Sequence, residues 1–178
     1  MAVSSDGDRC GLVGVYPKGP AAQPGGVYGY SPNVSSWGGN ALLGDDGLQH
    51  LIVAEIPGGL RTWGSQSQCV HATSPNISGP YTRHDLVLGH ECHNPSTLRH
   101  PKTGEWLMFH IGSGPKPDDT ATSPPRETNW RATSGQGFLH TAKSPNGPWT
   151  PAKTSPKSCN NPAPAYHPNG TLFVVPSA

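Results

Sequence analysis

The sequence carries little charge and no long apolar run. Only 13% of its 178 residues are charged, and the formal net charge is +1. A basic surface that would attract nucleic acid is therefore not predicted. No apolar stretch approaches the roughly 20 residues that a membrane-spanning helix requires, so we expect no membrane partner either.

Short motifs for metal, nucleotide and acyl-transfer chemistry are missing as well. The four cysteines include no Cys-x-x-Cys pair, and no two histidines are spaced as His-x-x-x-His, which argues against a zinc site. There is no Gly-x-Ser-x-Gly sequence, no phosphate-binding loop and no dinucleotide fingerprint. We therefore expect neither a metal ion nor a cofactor.

The start of the chain does not read as a secretory signal, because it has no basic stretch followed by an apolar one. Three Asn-x-Ser/Thr sequons are compatible with an extracellular location, although three-residue motifs often arise by chance. These observations leave the compartment open. The sequons begin at Asn33, Asn76 and Asn169.

Glycine and proline, in contrast, are abundant. They contribute 23 and 21 residues, and together they make up about a quarter of the chain, near the level typical of disorder. Short apolar runs nevertheless recur between turn signals, which is typical of a turn-rich all-β protein. Residues 1–33 lack this pattern. We predict an irregular N-terminal segment at 1–33 and a β domain at 34–178.

The β domain contains an internal repeat. Two copies open with Cys-x-Asn-Pro, at residues 92–95 and 159–162, and a first copy at 37–40 matches in position rather than identity. A glycine turn follows each opening, twice as Asp-Gly or Asn-Gly, which is a strong hairpin signal, and an apolar strand comes next. The turn glycines are Gly47, Gly104 and Gly170.

The second half of the unit repeats too. Residues 71–82 and 140–150 both run from His through Ser-Pro-Asn to Gly-Pro, an aromatic residue and Thr. Four strand-like segments in a period of roughly 50–70 residues are typical of propeller blades. An insertion at 114–135 accounts for the unequal spacing. The alternative is two unrelated hairpins that look alike because turns reuse Gly, Pro and Asn.

Six motifs, in their order along the chain, resemble those of the five-bladed β-propellers of glycoside hydrolase family 43. They are Trp-Gly-Gly, Asp-Gly-x-x-His-Leu, Val-His-Ala-x-Ser, Gly-Pro-Tyr, His-Asn-Pro and Ser-Pro-x-Gly-Pro-Trp. The resemblance covers residues 34–178 and implies an all-β, partial propeller of about two and a half four-stranded blades. It also implies hydrolysis of O-glycosidic bonds in plant or microbial polysaccharides that contain arabinose or xylose. Three carboxylates at inner-strand starts carry out that reaction in the family.

The sequence departs from the family pattern at the blade openings. Where the family often has Asp-Pro, this chain has Asn94-Pro95 and Asn161-Pro162, and an amide cannot act as a general base. The blades are also fewer than five. Three interpretations stay open: a glycosidase of doubtful activity, an inactive propeller that binds carbohydrate, and a truncated fragment without activity.

Two acidic residues are candidates for catalysis, since inverting hydrolysis needs one protonated and one ionised carboxyl group. Glu91 lies just before an inner strand, beside two histidines and near the axial mouth that the resemblance implies. Glu55 ends the apolar strand 51–55. The alternatives are a solvated loop acid for Glu91 and a strand-end acid for Glu55.

The residues expected to hold a sugar lie mostly at the blade openings. Trp37 would stack on a sugar face, while His93 and Asn94 would form hydrogen bonds with sugar hydroxyls. The other candidates for sugar binding are Asn40, His71 and Asn161. His110 is expected in the core. The tryptophans expected to pack between blades are Trp63, Trp106 and Trp149.

Cys92 and Cys159 occupy the same position in successive repeats. Inner-strand starts crowd together near a propeller axis, so one expectation is a disulfide between these two cysteines. The other expectation is that both fill equivalent packing slots as small buried residues.

The blade faces lead to a prediction about association. In a closed propeller each blade buries both faces against its neighbours, whereas an open array leaves two apolar faces in water. Exposed apolar patches promote association. We therefore expect self-association through the exposed blade faces.

Overall fold

A computed structural model describes residues 33–89, 91–112, 137–150, 153–154 and 160–177. These residues form two four-stranded antiparallel sheets and one two-stranded hairpin. The first sheet, blade 1, contains β1 (Val34–Leu43), β2 (Gln49–Pro57), β3 (Gln68–Ser74) and β4 (Thr82–Leu88). Blade 2 contains β5 (His93–Arg99), β6 (Trp106–Ile111), β7 (Gly137–Ala142) and β8 (Lys153–Thr154). The hairpin contains β9 (Asn160–Tyr166) and β10 (Leu172–Ser177).

Each sheet follows the chain in order, from β1 to β4 and from β5 to β8. The predicted fold class, an all-β partial propeller of two and a half blades, is confirmed. Helix is confined, in the described ranges, to a 3-10 turn at Leu60–Thr62 and the single turn α1 at Trp63–Gln66. No helix within those ranges has the length and hydropathy of a membrane span.

The predicted glycine turns close the first hairpin of each unit. Gly47, Gly104 and Gly170 have φ values of 78°, 71° and 94°, a left-handed conformation that residues with a side chain rarely adopt. In the first turn, the backbone N–H of Leu48 also donates a hydrogen bond to the Asp46 carboxylate, 3.1 Å away. These local signals set the register of the hairpins.

The register confirms that the two blades are copies of one unit. In blade 1 Ile52 pairs with His71, and in blade 2 Met108 pairs with His140. The two histidines are the ones that the sequence placed at equivalent positions. The preserved order of signals therefore reflected a repeated sheet rather than two unrelated hairpins.

An apolar cluster joins the two blades. It is formed by buried Ile52, Cys69, Cys92 and Met108, with Trp149 packed against it. Trp106 is also buried, and its ring contacts His50 of blade 1 edge-on, with the ring centroids 5.8 Å apart. The prediction that Trp106 and Trp149 pack between blades is confirmed.

Polar contacts add to this interface. The side chain of Asn40 in β1 accepts the backbone N–H of Thr97 in β5 at 2.7 Å and donates to the Thr97 carbonyl at 3.0 Å. Nearby, the Arg99 guanidinium binds the Asp45 carboxylate in a bidentate ion pair. Blade 2 is therefore held to blade 1 along the length of the inner strand β5.

A disulfide connects the blades, but it is not the one weighed from the sequence. Cys92 bonds to Cys69 of β3, with a Cα–Cα distance of 5.5 Å. The chain that enters β5 passes the start of β3, where the Cys92 N–H also donates to the Ser67 carbonyl at 3.1 Å. The Cys92–Cys159 bridge is therefore wrong, and Cys159 lies outside the described residues. A crosslink spanning 23 residues contributes about 3 kcal/mol in the chain-entropy model.

Two sequence predictions fall largely outside the described ranges. The irregular segment at 1–33 is described only at residue 33, and none of the insertion at 114–135 is described. The boundary between residues 33 and 34 coincides with the start of β1. The division into segment and domain stays a prediction.

Candidate functional site

A cleft of about 620 Å³ opens where the inner strands begin. It lies at the starts of β1, β5 and β9, the three strands that open the repeated units, and beside the loop that joins β2 to β3. Its walls are mainly apolar, with a small number of polar groups, as is usual for a ligand site. The lining residues are Trp37, Ala54, Ile56, Leu60, Arg61, Trp63, Ser67, His93, Asn94, Ile111 and Asn161.

A β-bulge shapes the start of every inner strand. Each inner strand has one more residue than its partner over this stretch, so that three residues advance opposite two. The stretch begins at Trp37 in β1, at His93 in β5 and at Asn160 in β9. The residue that follows each of these is left-handed, with φ of 64° at Gly38 and 45° at both Asn94 and Asn161. These angles are tolerated by Gly and Asn better than by other residues. In the second and third units, the left-handed residue of the bulge, Asn94 or Asn161, lines the cleft.

The strand pairing aligns the first copy of the repeat with the second one residue away from the alignment that the sequence suggested. The sequence comparison aligned Gly39 with Asn94, whereas the ladders align Gly38 with Asn94. A Cβ atom on Gly38 would lie 2.8 Å from the Asn94 side-chain oxygen. Glycine at this opening is therefore required both by its φ angle and by the approach of blade 2.

The Asn94 and Asn161 amides meet across adjacent units. The Nδ2 group of Asn94 donates a hydrogen bond to Oδ1 of Asn161, and both side chains line the cleft. They occupy the openings where the resembled family has acidic residues. An amide pair can share a hydrogen bond without bringing like charges together.

Two indole rings form the aromatic part of the cleft. Trp37 is 54% exposed and Trp63 is 39% exposed, so both rings can receive a ligand. Trp63 also contacts the ring of His93 edge-on, at a centroid distance of 5.2 Å. Trp63 therefore contacts blade 2, as predicted for packing between blades, and the loop after β2 also turns it into the cleft.

His93 forms a neutral part of the cleft wall. Its side chain is buried, and burial lowers its pKa to about 4, although a backbone hydrogen bond with Gly64 acts in the opposite direction. The ring therefore carries no charge at neutral pH. A neutral imidazole can both donate and accept hydrogen bonds, as sugar hydroxyls do.

The loop between β2 and β3 supplies Leu60, Arg61 and Ser67, three of the six lining residues that sequence reasoning missed; the others lie on β2 and β6. Gly58 and Gly59 are both left-handed, with φ of 82° and 81°. The Thr62 hydroxyl lies within hydrogen-bond distance of the carbonyls of Pro57 and Gly59, at 2.6 and 2.8 Å. The Gly-Gly pair was the available signal, because consecutive glycines mark a tight turn. It has no counterpart in blade 2, so the repeat did not reveal it. The missed lining residues are Ala54, Ile56, Leu60, Arg61, Ser67 and Ile111.

Glu55 is not part of the cleft. It alternates along β2 with Ala54 and Ile56, which do line the cleft, and its carboxylate binds Arg83 in a bidentate ion pair at 3.0 and 2.8 Å. Burial raises its pKa, but hydrogen bonds from Arg83 and Gln68 outweigh that effect and leave the pKa below its usual 4.5. Glu55 is ionised at neutral pH and engaged in an ion pair, which does not favour its use as a catalytic acid, so its catalytic role stays a prediction.

Glu91 is buried, with only 5% of its surface exposed, so it is not a solvated loop acid. Its backbone is left-handed, with φ of 68°. The backbone of Gly112 approaches so closely that a Cβ there would lie 1.9 Å from the Glu91 carbonyl oxygen. Glu91 is two residues from His93 but is not among the lining residues. Its catalytic role stays a prediction.

Asn40 and His71, two predicted sugar ligands, lie elsewhere. The amide of Asn40 is engaged with Thr97 between the blades. His71 is buried in blade 1, where its Nε2 lies 2.9 Å from Nδ1 of His50. Burial, together with the His50 ring, lowers the pKa of His71 to about 4. Neither residue lines the cleft, so their sugar-binding roles stay predictions that these contacts do not favour, whereas Trp37, His93, Asn94 and Asn161 do meet in the cleft.

The cleft therefore offers aromatic faces, amides and one guanidinium group. None of the described lining residues is acidic, so the described wall of the cleft lacks the pair of carboxyl groups that inverting hydrolysis requires. No three His, Cys, Asp or Glu residues within the described ranges are grouped to hold a metal ion.

Comparisons with known proteins agree with this fold. No protein-family model matches the chain, and no curated protein matches it. Among solved structures, the chain is similar to the GH43_1 enzyme from Xanthomonas citri, with a TM-score of 0.53 and 12% identity over 79% of this chain. It is also similar to a GH43 beta-xylosidase/alpha-arabinofuranosidase from a compost microbial metagenome. That match has a TM-score of 0.50 and 14% identity over 79% of this chain.

These matches define a class of fold. The chain has the propeller fold of glycoside hydrolase family 43 enzymes, in partial form, as the sequence motifs predicted. It spans 39% of the Xanthomonas citri enzyme and 42% of the metagenome enzyme. At identities this low, the likeness establishes the fold alone.

Proposed function

We propose that the cleft binds a carbohydrate, and that the part of the chain described here binds it without hydrolysing it. The observation that carries this proposal is the meeting of two exposed indole rings with the Asn94–Asn161 amide pair in one cleft. Indole faces stack on the apolar face of a sugar ring, and amides match hydroxyl groups as both donors and acceptors.

The chemistry of similar proteins supports a pentose-containing ligand. The Xanthomonas citri enzyme has been solved with xylose and with xylotriose, and the metagenome enzyme was solved in complex with xylotriose. The cleft volume of about 620 Å³ lies within the usual range for small-molecule sites. We therefore propose short oligosaccharides of xylose or arabinose as ligands.

Hydrolysis is the second candidate, and Glu91 is the residue that would support it. It is buried next to the start of β5, as the resemblance predicts for a catalytic acid. The openings of β5 and β9, however, carry amides, which can neither take up nor release the proton that this reaction requires. Binding is the function that this geometry supports better.

Binding is tested by calorimetric titration of the 178-residue chain with xylotriose and with arabinotriose. We expect saturable binding, and we expect Trp37→Ala to weaken it about tenfold through loss of stacking. Leu43→Ala is a matched control, because Leu43 lies on the same strand, is 58% exposed and does not line the cleft. Equal affinity of wild type and Trp37→Ala would contradict the proposed site.

Hydrolysis is tested by chromatography of the same mixtures after long incubation. We expect no released sugar from the wild type and none from Glu91→Gln. If the wild type releases sugar and Glu91→Gln abolishes that release, the proposed function is hydrolysis rather than binding alone. Release that Glu91→Gln leaves unchanged would remove Glu91 from the mechanism.

We also propose that the chain associates with itself through the outer face of the β9–β10 hairpin. Phe173 and Val175 are 53% and 63% exposed, and they stand opposite Ala165 and Ala163 in the ladder. Their neighbours Leu172 and Val174 are less exposed, as expected of the face turned toward blade 2. The outer face is thus entirely apolar at these two pairs, which supports association.

A further inference from the structure

The three arginines in the described residues differ in what they bind. Arg83 holds the Glu55 carboxylate, and Arg99 holds that of Asp45. Arg61 is exposed at the cleft, and no carboxylate of the described residues lies within ion-pair distance of it. Arg61, which faces the cleft, is therefore the one described arginine without a carboxylate partner among the described residues.

Arg61 is also the charged group of the cleft wall. The other described lining residues are apolar side chains, amides, indoles, one hydroxyl and His93, and the low pKa of His93 keeps its ring neutral at pH 7. Among the described residues, the wall therefore carries one positive charge and no negative charge. Such an arrangement attracts an anionic group more than a neutral one, because no described carboxylate within ion-pair distance compensates the cation.

The backbone that carries Arg61 is held in place. Arg61 is the middle residue of the 3-10 turn, and its neighbour Thr62 fastens the turn through contacts of its hydroxyl with the carbonyls of Pro57 and Gly59. The Gly58 N–H donates to the Asn33 carbonyl at 2.7 Å. A fixed backbone restricts where the guanidinium can reach, which lowers the entropy lost on binding.

We infer that the cleft selects a sugar that carries a carboxylate, a uronic acid unit, and that Arg61 is its counter-ion. This inference rests on the proposed carbohydrate-binding function. The guanidinium presents two parallel N–H groups that match the two oxygens of a carboxylate. A hexuronic acid is a xylose-like pyranose with a carboxylate added at C5, so it keeps the ring that the indoles would stack on. Arg61 is a specificity-determining residue in this arrangement.

The test compares three probes with the same xylotriose backbone: xylotriose itself, xylotriose bearing one glucuronic acid, and the methyl ester of that acidic probe. Calorimetry on the 178-residue chain should show the acidic probe binding about tenfold more tightly than its ester. Arg61→Gln should remove this preference, so that the acidic probe and its ester bind the variant with equal affinity. The preference should also shrink as NaCl is raised, because salt screens the ion pair.

Lys102→Gln is the matched control, since it removes one exposed positive charge from the turn between β5 and β6, away from the cleft. It should keep the preference for the acidic probe. Arg61→Gln should also melt at the wild-type temperature because Arg61 is exposed. A preference that survives Arg61→Gln, or equal affinities of wild type for the acid and its ester, overturns the inference alone. Failure of all three probes to bind overturns the proposed function with it.

Discussion

At the scale of single residues, the two asparagines at the blade openings satisfy two separate demands. Their backbone must be left-handed because each sits in a bulge, and Asn accepts that conformation better than most residues. Their side chains must also face each other across adjacent units. A neutral amide pair meets both demands, whereas two carboxylates at this distance would repel each other.

This pairing predicts a non-additive pair of substitutions. Asn94→Asp and Asn161→Asp should each change the free energy of unfolding by less than about 0.5 kcal/mol, because the remaining amide can donate to the new carboxylate. The double variant should lose about 1–2 kcal/mol more than the sum at pH 7, since it places two like charges together. Urea unfolding of the four proteins measures this coupling energy.

The same experiment repeated at pH 4 is its control. Protonation of one carboxyl group restores a donor, so the coupling energy should shrink there. Effects of acid on the rest of the fold cancel in the double-mutant cycle. A double variant that is additive at pH 7 would show that the two side chains do not interact.

The residues of the cleft were predictable where the repeat carried them. Asn94 and Asn161 follow from the Cys-x-Asn-Pro motif, and the bulge that the motif occupies turns both toward the cleft. Glu55 was not predictable in this way, because strand alternation and the distant Arg83 together decide which way its carboxylate points. Arg61 lies in a loop without a repeat partner, so no pattern distinguished it from other surface cations.

At the scale of strands, each blade buries a pair of histidines between its second and third strands. In blade 1, His50 and His71 stack at a centroid distance of 5.2 Å. In blade 2, the Nε2 atoms of His110 and His140 lie 3.0 Å apart. His71 and His140 occupy equivalent positions. Their partners differ, because the partner histidine lies two residues before the paired residue of the second strand in blade 1 and two residues after it in blade 2. A shared hydrogen bond needs at least one neutral ring, and burial favours the neutral form of His71, His110 and His140.

These pairs predict a loss of stability in acid. The folded-state pKa is about 4 for His71 and about 3 for His110, below the ordinary 6.5, and burial also lowers the pKa of His140. Below pH 6.5 the unfolded chain therefore binds protons that the folded chain does not. The free energy of unfolding should fall from pH 6.5 to about 4, by up to about 1.4 kcal/mol per pH unit for each such histidine.

The measurement is urea unfolding at half-unit pH steps. His71→Gln should reduce the slope, while His167→Gln, which alters an exposed residue of the β9–β10 turn, should leave it as in the wild type. If the free energy of unfolding of the wild type does not change between pH 6.5 and 4, these rings gain protons as readily in the folded state as in the unfolded chain.

The strands themselves were more predictable than their contacts. Turn glycines and apolar runs located the first two strands of each unit, because both signals are local in sequence. The partner of Cys92 was not predictable, since it depends on how the chain between β4 and β5 passes the start of β3. Repeat equivalence relates positions in different blades, and it does not by itself state which of them touch.

At the scale of the molecule, the two blades are joined by several independent connections. A buried apolar cluster, the Asn40–Thr97 contacts, the Asp45–Arg99 ion pair and the Cys69–Cys92 disulfide all cross the same boundary. The β9–β10 hairpin packs on blade 2 and presents the apolar residues of its other face to solvent. The described part of the molecule is therefore held together by several contacts and exposes apolar side chains on one side.

This asymmetry predicts concentration-dependent association. Sedimentation velocity of the 178-residue chain should show species larger than the monomer, and Phe173→Ser with Val175→Ser should shift the distribution toward monomer by removing apolar surface. Ile77→Ser is the matched control, because Ile77 is 65% exposed in the β3–β4 turn and not on a blade face. A wild-type chain that stays monomeric at all concentrations would contradict the prediction.

The bulge at the start of each inner strand has a consequence for altering the specificity of this molecule. It separates the residue that faces the cleft from the residues that build the sheet, because the extra position lies outside the regular ladder. Positions 94 and 161 can therefore be exchanged among Asn, Asp and Gly, which all accept a left-handed backbone, with little change to the rest of the blade as long as Asp does not occupy both. A small library at these two positions would sample many ligand preferences on a single scaffold.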